Sequence, residues 1–311
     1  MKAHNNLQVA ILGATGYIGR AILDVFQQEA EVSVVGYSRD VNVACAKLTT
    51  YNISFGEIED YGTLIDRKYD VLINATGICS PKRLNEEPGA VFTVTEEMDR
   101  CVFEYIDKYP RTRVFNISSG AVYGLTARDF VLPSSLASFD VNALSAKDSY
   151  ALAKLYSEAR HRTRHECAIV DLRVFAFVSR FLDIEDTFLV SEIAACLRAG
   201  NIFKTKSEDM IRDYSTAYDL VAVIKFLAER EPINDVFDIK SRQEVSKFEL
   251  LERLREEFGL LVEFEELVES SPTGTKNIYA PKRTRLEELG YIPKRSSLEN
   301  VVSEVTAFLS R

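Results

Sequence analysis

The chain is short of the features that mark secreted, membrane or nucleic-acid-binding proteins. Its five cysteines, Cys45, Cys79, Cys101, Cys167 and Cys196, show no paired spacing. That odd, scattered set argues against a disulfide framework and predicts reduced thiols in a cytoplasmic protein. No apolar run is long enough to cross a bilayer. The first six residues are polar and lead straight into a strand pattern, so no signal peptide is expected. Positive charge is scarce: 38 Lys and Arg stand against 47 Asp and Glu, a net charge of −9. Such a surface repels nucleic acid and anionic membranes, and neither is an expected partner. A phosphate-bearing ligand must then be met by local positive charge. Repeats and low-complexity linkers are also absent.

What is present is alternation. Apolar strand candidates at 8–12, 32–37, 71–75, 114–118 and 168–174 are separated by helical patterns at 16–28, 91–109 and 150–166. Near-continuous apolar strands suit a parallel sheet buried on both faces. The order predicts an α/β protein, a Rossmann-type doubly wound parallel sheet that binds ligands at the carboxyl ends of its strands. After residue 174 the pattern changes. A helix at 187–199, short strands near 202–204 and 262–264, a helix starting near Asp219, a strand from Val236, a helix at 247–258 and a polar loop at 270–275 predict a smaller mixed α/β C-terminal lobe for substrate. The expected division is 1–176 plus about 210–235 for the dinucleotide domain, with 177–209 plus 236–311 for the lobe.

Gly13, Gly16 and Gly19 follow the apolar run 9–12 and precede a helical run at 20–26. Strand, glycine-rich turn and helix start make a phosphate cradle, because glycine allows a tight turn and the helix end offers N–H groups and a positive dipole. Tyr150 and Lys154 stand four apart on an expected helix and so share a face. An ammonium there favours the phenolate of Tyr150, which suits it as an acid or base near neutral pH. Alone, that pair reads as a surface tyrosine beside a solvated lysine. It is joined by Ser118, Ser119, Gly120 and the Val122-Tyr123-Gly124 run at the end of an earlier strand, where a hydroxyl can meet a reacting oxygen.

Together these motifs resemble an extended short-chain dehydrogenase/reductase of the nucleotide-sugar epimerase/dehydratase type. Further matches are Asn74 to Gly77, Leu172-Arg173, the Arg212-Asp213-Tyr214 signature through Leu220, and the Leu289-Gly290-Tyr291-Ile292-Pro293 segment. The resemblance implies Ser119, Tyr150 and Lys154 as the catalytic set. It implies a cofactor site of Gly13, Thr15, Gly16, Tyr17, Ile18, Gly19, Ser38, Arg39, Glu57, Ala75, Thr76 and Gly77, with Tyr150 and Lys154. Ser119, Gly120 and Arg212 are implied as substrate contacts, Arg212 for a diphosphate, with no metal. It further implies a homodimer through the 91–109 and 150–166 helices, a nucleotide-linked sugar as substrate, and a place in cell-surface polysaccharide synthesis.

Cofactor choice rests on the end of the second strand, where an acid binds the ribose of NAD and an arginine accepts the phosphate of NADP. Ser38 and Arg39 favour NADP there, and Asp40 keeps NAD possible. Departures from the family pattern also matter. Ala176 or Phe177 stands where an asparagine is frequent, as do Phe92, Thr93 and Val94 at another such position. Gly120 and Ala121 follow Ser119 where dehydratases carry an Asp-Glu pair, which argues for an epimerase or a 4-keto-sugar reductase. The alternatives are a reductase of a non-nucleotide carbonyl compound and a dinucleotide-sensing protein without turnover. His161, His165 and Cys167 have metal-like spacing but a basic setting, and read as a solvated helix end. Lys204 and Lys206 read as surface charges, the 252–257 run as an exposed helix face, and Cys79 and Cys101 as small core residues.

Overall fold

The computed structural model describes residues 6–78, 81–124, 129–184, 187–265 and 277–311. Cys79 and the loop at 270–275 lie outside the described residues. Seven strands form one sheet: β1 (Leu7–Leu12), β2 (Val32–Ser38), β3 (Glu57–Asp60), β4 (Val71–Asn74), β5 (Arg113–Ser119), β6 (Ile169–Val174) and β7 (Asp235–Asp238). Their order is β3-β2-β1-β4-β5-β6-β7, and every pairing is parallel. This is the doubly wound arrangement expected from the alternation, with its switch point between β1 and β4.

The helices are α1 (Tyr17–Phe26), α2 (Val41–Thr50), α3 (Pro81–Glu86), α4 (Ala90–Lys108), α5 (Ala146–Arg162), α6 (Leu189–Ala199), α7 (Ala217–Ala228), α8 (Lys247–Phe258), α9 (Arg285–Glu288) and α10 (Ser297–Leu309). Alternate residues of β1 serve opposite faces, as the pleat requires. Val9 and Ile11 pack with Ile22 and Phe26 of α1 and Leu220 and Ile224 of α7. Ala10 and Leu12 pack with Tyr105 and Ile106 of α4. A separate apolar cluster joins Val190 and Ile193 of α6, Leu250 and Leu254 of α8, and Val301 and Val305 of α10. Short strands cover it: Phe203–Lys206 pairs with Val262–Glu265, and Ile211–Arg212 lies between Val245–Ser246 and Ile278–Tyr279. Among the described residues no helix is long and apolar enough to cross a membrane.

Among the elements not visible in the hydrophobic pattern are β3, α2 and α10. β3 is a short, charged edge strand, the usual way an edge is kept from further pairing. α2 is fixed by its cap, the Asp40 carboxylate accepting from Val43 N at 2.9 Å. α10 begins with a reciprocal cap between Ser296 and Glu299. The same device between Ser145 and Asp148 starts α5 at Ala146 rather than at 150.

The helix end at His161 differs from its solvated expectation. α5 stops at Arg162, which leaves His165 exposed in the following turn while His161 is fully buried. The His161 imidazole lies 2.9 Å from Asp171 and 3.4 Å from Asp99. Burial opposes its charge, but these two carboxylates overcome that and raise its pKa to about 9. The unfolded value is about 6.5. The imidazolium therefore stabilises the fold fully below about pH 6.5, and that contribution is lost as pH rises through about 9. The wild-type thermal midpoint should fall across this window. His161→Gln should start lower at neutral pH and lose most of that fall. Thermal denaturation of both proteins across the window checks this, and parallel pH profiles would contradict it.

Candidate active site

The turn after β1 is built by exclusion. Gly13 has φ +75°, and a Cβ there would sit 3.0 Å from the Ala75 carbonyl oxygen. A Cβ on Gly19 would sit 2.1 Å from the Gly13 carbonyl oxygen, inside any real contact. Gly16 N donates to Gly13 O at 2.9 Å and begins α1. No side chain caps that helix, and no acidic residue stands in its first turn. The positive end of α1 is thus left for an anion, and the missing side chains leave room for one. These features fit the pyrophosphate of a dinucleotide. Thr15 lies within the turn, and Ile18 packs onto the core below it. The Tyr17 ring packs edge-on against Phe177 and its hydroxyl accepts from Ser179 N at 3.0 Å, so its implied cofactor role falls to its backbone at the start of α1. Its side chain ties α1 to the 177–179 segment.

At the end of β2, the parallel register decides which acid is near. Ser38 pairs with Asp60, whereas Glu57 pairs with Val35, three residues back from the ligand edge. Glu57 instead forms an ion pair with Arg67 at 2.6 Å. Asp60 and Tyr61 occupy the edge, with Gly13 N donating to the Tyr61 hydroxyl at 3.1 Å. Arg39 is exposed, and its positive charge opposes the upward push that burial gives Tyr61. Asp40 is committed to capping α2.

Lys154 joins three elements. It is buried, and its Nζ donates to Ile117 O of β5 at 2.8 Å and to Thr76 O, beyond β4, at 3.4 Å. A Cβ on Gly77 (φ +154°) would stand 3.4 Å from that ammonium. Ala75 N donates to Leu12 O at 3.0 Å, drawing the ends of β4 and β1 together. Tyr150 lies one turn before Lys154, half-buried against Ile78, Val91 and Ala153.

Ser119 is the last residue of β5. Its Oγ accepts from Ala121 N at 3.1 Å and lies 3.3 Å from the Tyr279 hydroxyl. Strand alternation sends Ser118 the other way, where it donates to Glu158 at 2.5 Å. Glu158 also holds Arg173, and Arg173 donates to the Tyr123 hydroxyl at 2.6 Å. Tyr123 in turn donates to Asp238 at 2.9 Å. Burial pushes the Asp238 carboxyl up to about 6 against the pull of Arg173. This chain braces the turn that carries Ser119. Gly120 is a packing position, since a Cβ there would meet the Phe175 ring at 2.6 Å.

Arg212 is buried, and desolvation lowers its pKa. Its guanidinium donates to Ile211 O at 2.9 Å. Asp213 accepts from Ser241 N at 2.9 Å, and Asp219 from Thr216 and Asn300 at 2.8 Å. Arg212 pairs across its strand with Tyr279, which connects it to Ser119. Lys204 is turned outward to Glu265 at 2.8 Å. Tyr279 had no signal in the sequence, because its strand is two residues long and follows residues of no marked pattern.

The chain matches the model of the NAD dependent epimerase/dehydratase family over residues 9–239. No curated protein sequence matches it. Among solved structures, it is similar to UDP-N-acetylglucosamine 4-epimerase from Methanobrevibacter ruminantium M1 in complex with UDP-N-acetylmuramic acid. That match has TM-score 0.79 and 18% identity over 98% of this chain and 99% of the other. It is also similar to UDP-glucose 4-epimerase from Thermotoga maritima with UDP-glucose (TM-score 0.77, 17% identity, 98% and 99% covered). A third is dTDP-glucose 4,6-dehydratase from Bacillus anthracis with NAD (TM-score 0.75, 14% identity, 98% and 97% covered). At these identities the likeness is one of fold.

Two substitutions test the cradle. Gly19→Ala should open the turn, lower the thermal midpoint and abolish dinucleotide binding, because its Cβ has no place beside Gly13 O. Glu57→Gln should leave dinucleotide affinity within about twofold, since Glu57 stands back from the ligand edge and its exposed ion pair with Arg67 contributes little. Calorimetric titration with NADPH and NADH reads both.

Proposed function

The chain belongs to the NAD dependent epimerase/dehydratase family, a family of enzymes, and on that premise we propose that it is a 4-keto-sugar reductase or epimerase acting on a nucleotide-linked sugar. The observation that carries the reading is the placement of Lys154, anchored on Ile117 O and Thr76 O one turn from Tyr150, with Ser119 ending the adjacent strand. Gly13, Thr15, Gly16, Ile18 and Gly19 would hold the pyrophosphate. Ala75, Thr76 and Gly77 line the approach to Lys154. The bound dinucleotide supplies hydride chemistry. Tyr150 exchanges a proton with the sugar oxygen. Ser119 orients that oxygen and stabilises charge developing on it, and Lys154 holds both tyrosine and ribose in place. No carboxylate follows Ser119, where Gly120 lies under Phe175. Water elimination therefore lacks its acid and base, which disfavours a dehydratase.

Arg212 is the diphosphate ligand in this reading, its fork held at the strand beside Tyr279. The two 4-epimerases of the same fold are bound to UDP-linked sugars, which supports that substrate class. NADP is the preferred cofactor because Arg39 is exposed at the β2 end while Asp40 is tied to α2. The C-terminal cluster around α6, α8 and α10 is assigned to substrate binding. A homodimer through α4 and α5 belongs to the same proposal, with Phe92 and Tyr156 exposed on those helices. A cytoplasmic setting suits its thiols.

Native mass spectrometry of freshly purified protein separates the two activities. Retained NAD(H) favours epimerisation, which returns its hydride within a cycle, whereas empty protein that prefers NADPH favours reduction. Arg39→Ala should weaken NADPH binding by about tenfold and leave NADH unchanged, the loss of one charged contact. Tyr150→Phe should abolish turnover with cofactor binding intact. Arg212→Ala should raise KM for the nucleotide sugar, and an unchanged KM would overturn the diphosphate assignment.

A further inference from the structure

A serine hydroxyl has two lone pairs and one hydrogen. At Ser119, one lone pair accepts from Ala121 N at 3.1 Å, and the Tyr279 hydroxyl lies 3.3 Å from the same oxygen. A phenol is the more acidic hydroxyl of such a pair and so the better donor. With Tyr279 donating, both lone pairs of Ser119 are engaged, and only its O–H remains to meet a substrate oxygen. We propose that Tyr279 is a positioning residue that makes Ser119 an obligate hydrogen-bond donor to the reacting sugar oxygen. The inference rests on the reading of Ser119 as a substrate-orienting group.

Three observations support the arrangement. Burial pushes the Tyr279 phenol up to about 12, so it keeps its proton at any working pH. Its ring packs against Phe175 at 5.1 Å, and Phe175 in turn covers Gly120, so the ring is held from the β5 side. Its backbone is held from the other side, with Tyr279 pairing with Arg212 and Asp213 N donating to Tyr279 O at 3.4 Å. One residue thus spans the arginine proposed for the diphosphate and the serine proposed for the sugar oxygen. A donor fixed in advance stabilises developing negative charge without rearranging during the reaction. A serine free to rotate would accept from a substrate hydroxyl as readily as donate, and would lose that advantage.

The test is a double-mutant cycle of Ser119→Ala and Tyr279→Phe in the full chain, assayed with NADPH and a nucleotide-linked 4-keto sugar. Phenylalanine keeps the ring against Phe175 and removes only the hydroxyl. Tyr279→Phe should lower kcat by roughly tenfold and leave KM for the sugar nucleotide within about twofold. In the Ser119→Ala background the same change should have no further effect, because Tyr279 acts through Ser119. Equal losses in both backgrounds would overturn the proposal, as would an unchanged kcat in the single variant. Crystal structures of the wild type and Tyr279→Phe give a readout independent of substrate. Ser119 should hold one rotamer in the wild type and divide between rotamers in the variant, and one shared rotamer would count against the role. If no nucleotide sugar is turned over, the functional reading fails and the rotamer comparison still decides the role of Tyr279.

Discussion

The sheet depends on a polar ladder buried inside it. Asn74, Asn116 and Asp171 are register partners on β4, β5 and β6. Asn74 donates to Asn116 at 2.9 Å, and Asn116 donates to Asp171 at 2.7 Å. All three are almost wholly shielded from water. Apolar neighbours would tolerate several registers, but this ladder tolerates one. A slip of one residue would turn each polar group to the wrong face and leave it unpaired, at about 1–3 kcal/mol per group. Three such losses approach the whole stability of a domain, roughly 5–15 kcal/mol.

Because the register is fixed, the carboxyl ends of the strands are level, and the site follows. Asn74 also accepts from Thr76, shaping the turn whose carbonyl receives Lys154. On the far side, Asp171 continues to His161 and Arg162, and His161 leads on to Asp99, so the ladder ends in charges on α4 and α5. Of the two helices, α5 carries Tyr150 and Lys154. A second buried chain, Ser118–Glu158–Arg173–Tyr123–Asp238, does the same for the turn after Ser119. Such groups are expensive to bury and strongly destabilising to break singly. Here they fix the backbone at the end of β5 and the start of the turn that follows it.

The legible parts of the chain were those where local physics decides. Apolar runs marked β1, β2, β4, β5 and β6 to within a residue or two, and α8 fell where its period placed it. The glycine turn was legible because Gly19 answers to Gly13 within the same turn and Gly13 to its own positive φ, although the contact that closes on Gly13 comes from Ala75. Caps were harder to see. α5 began four residues before the expected start because Ser145 and Asp148 close its first turn, a signal carried by two small polar residues. Glu57 was misplaced because the pairing of β3 with β2 cannot be counted along the chain, and that register puts Asp60 at the ligand edge instead.

The sequence by itself determined the fold class and the glycine turn, since each rests on local pattern, and resemblance to a known family singled out Ser119, Tyr150 and Lys154. Tertiary structure alone decided that His161 is buried between two carboxylates, that Gly120 serves Phe175, and that Tyr279 reaches Ser119 from 160 residues away. Those outcomes depend on which surfaces meet once the strands are in register. Periodicity reports which face of an element is apolar, and it carries no information on the partner that covers that face.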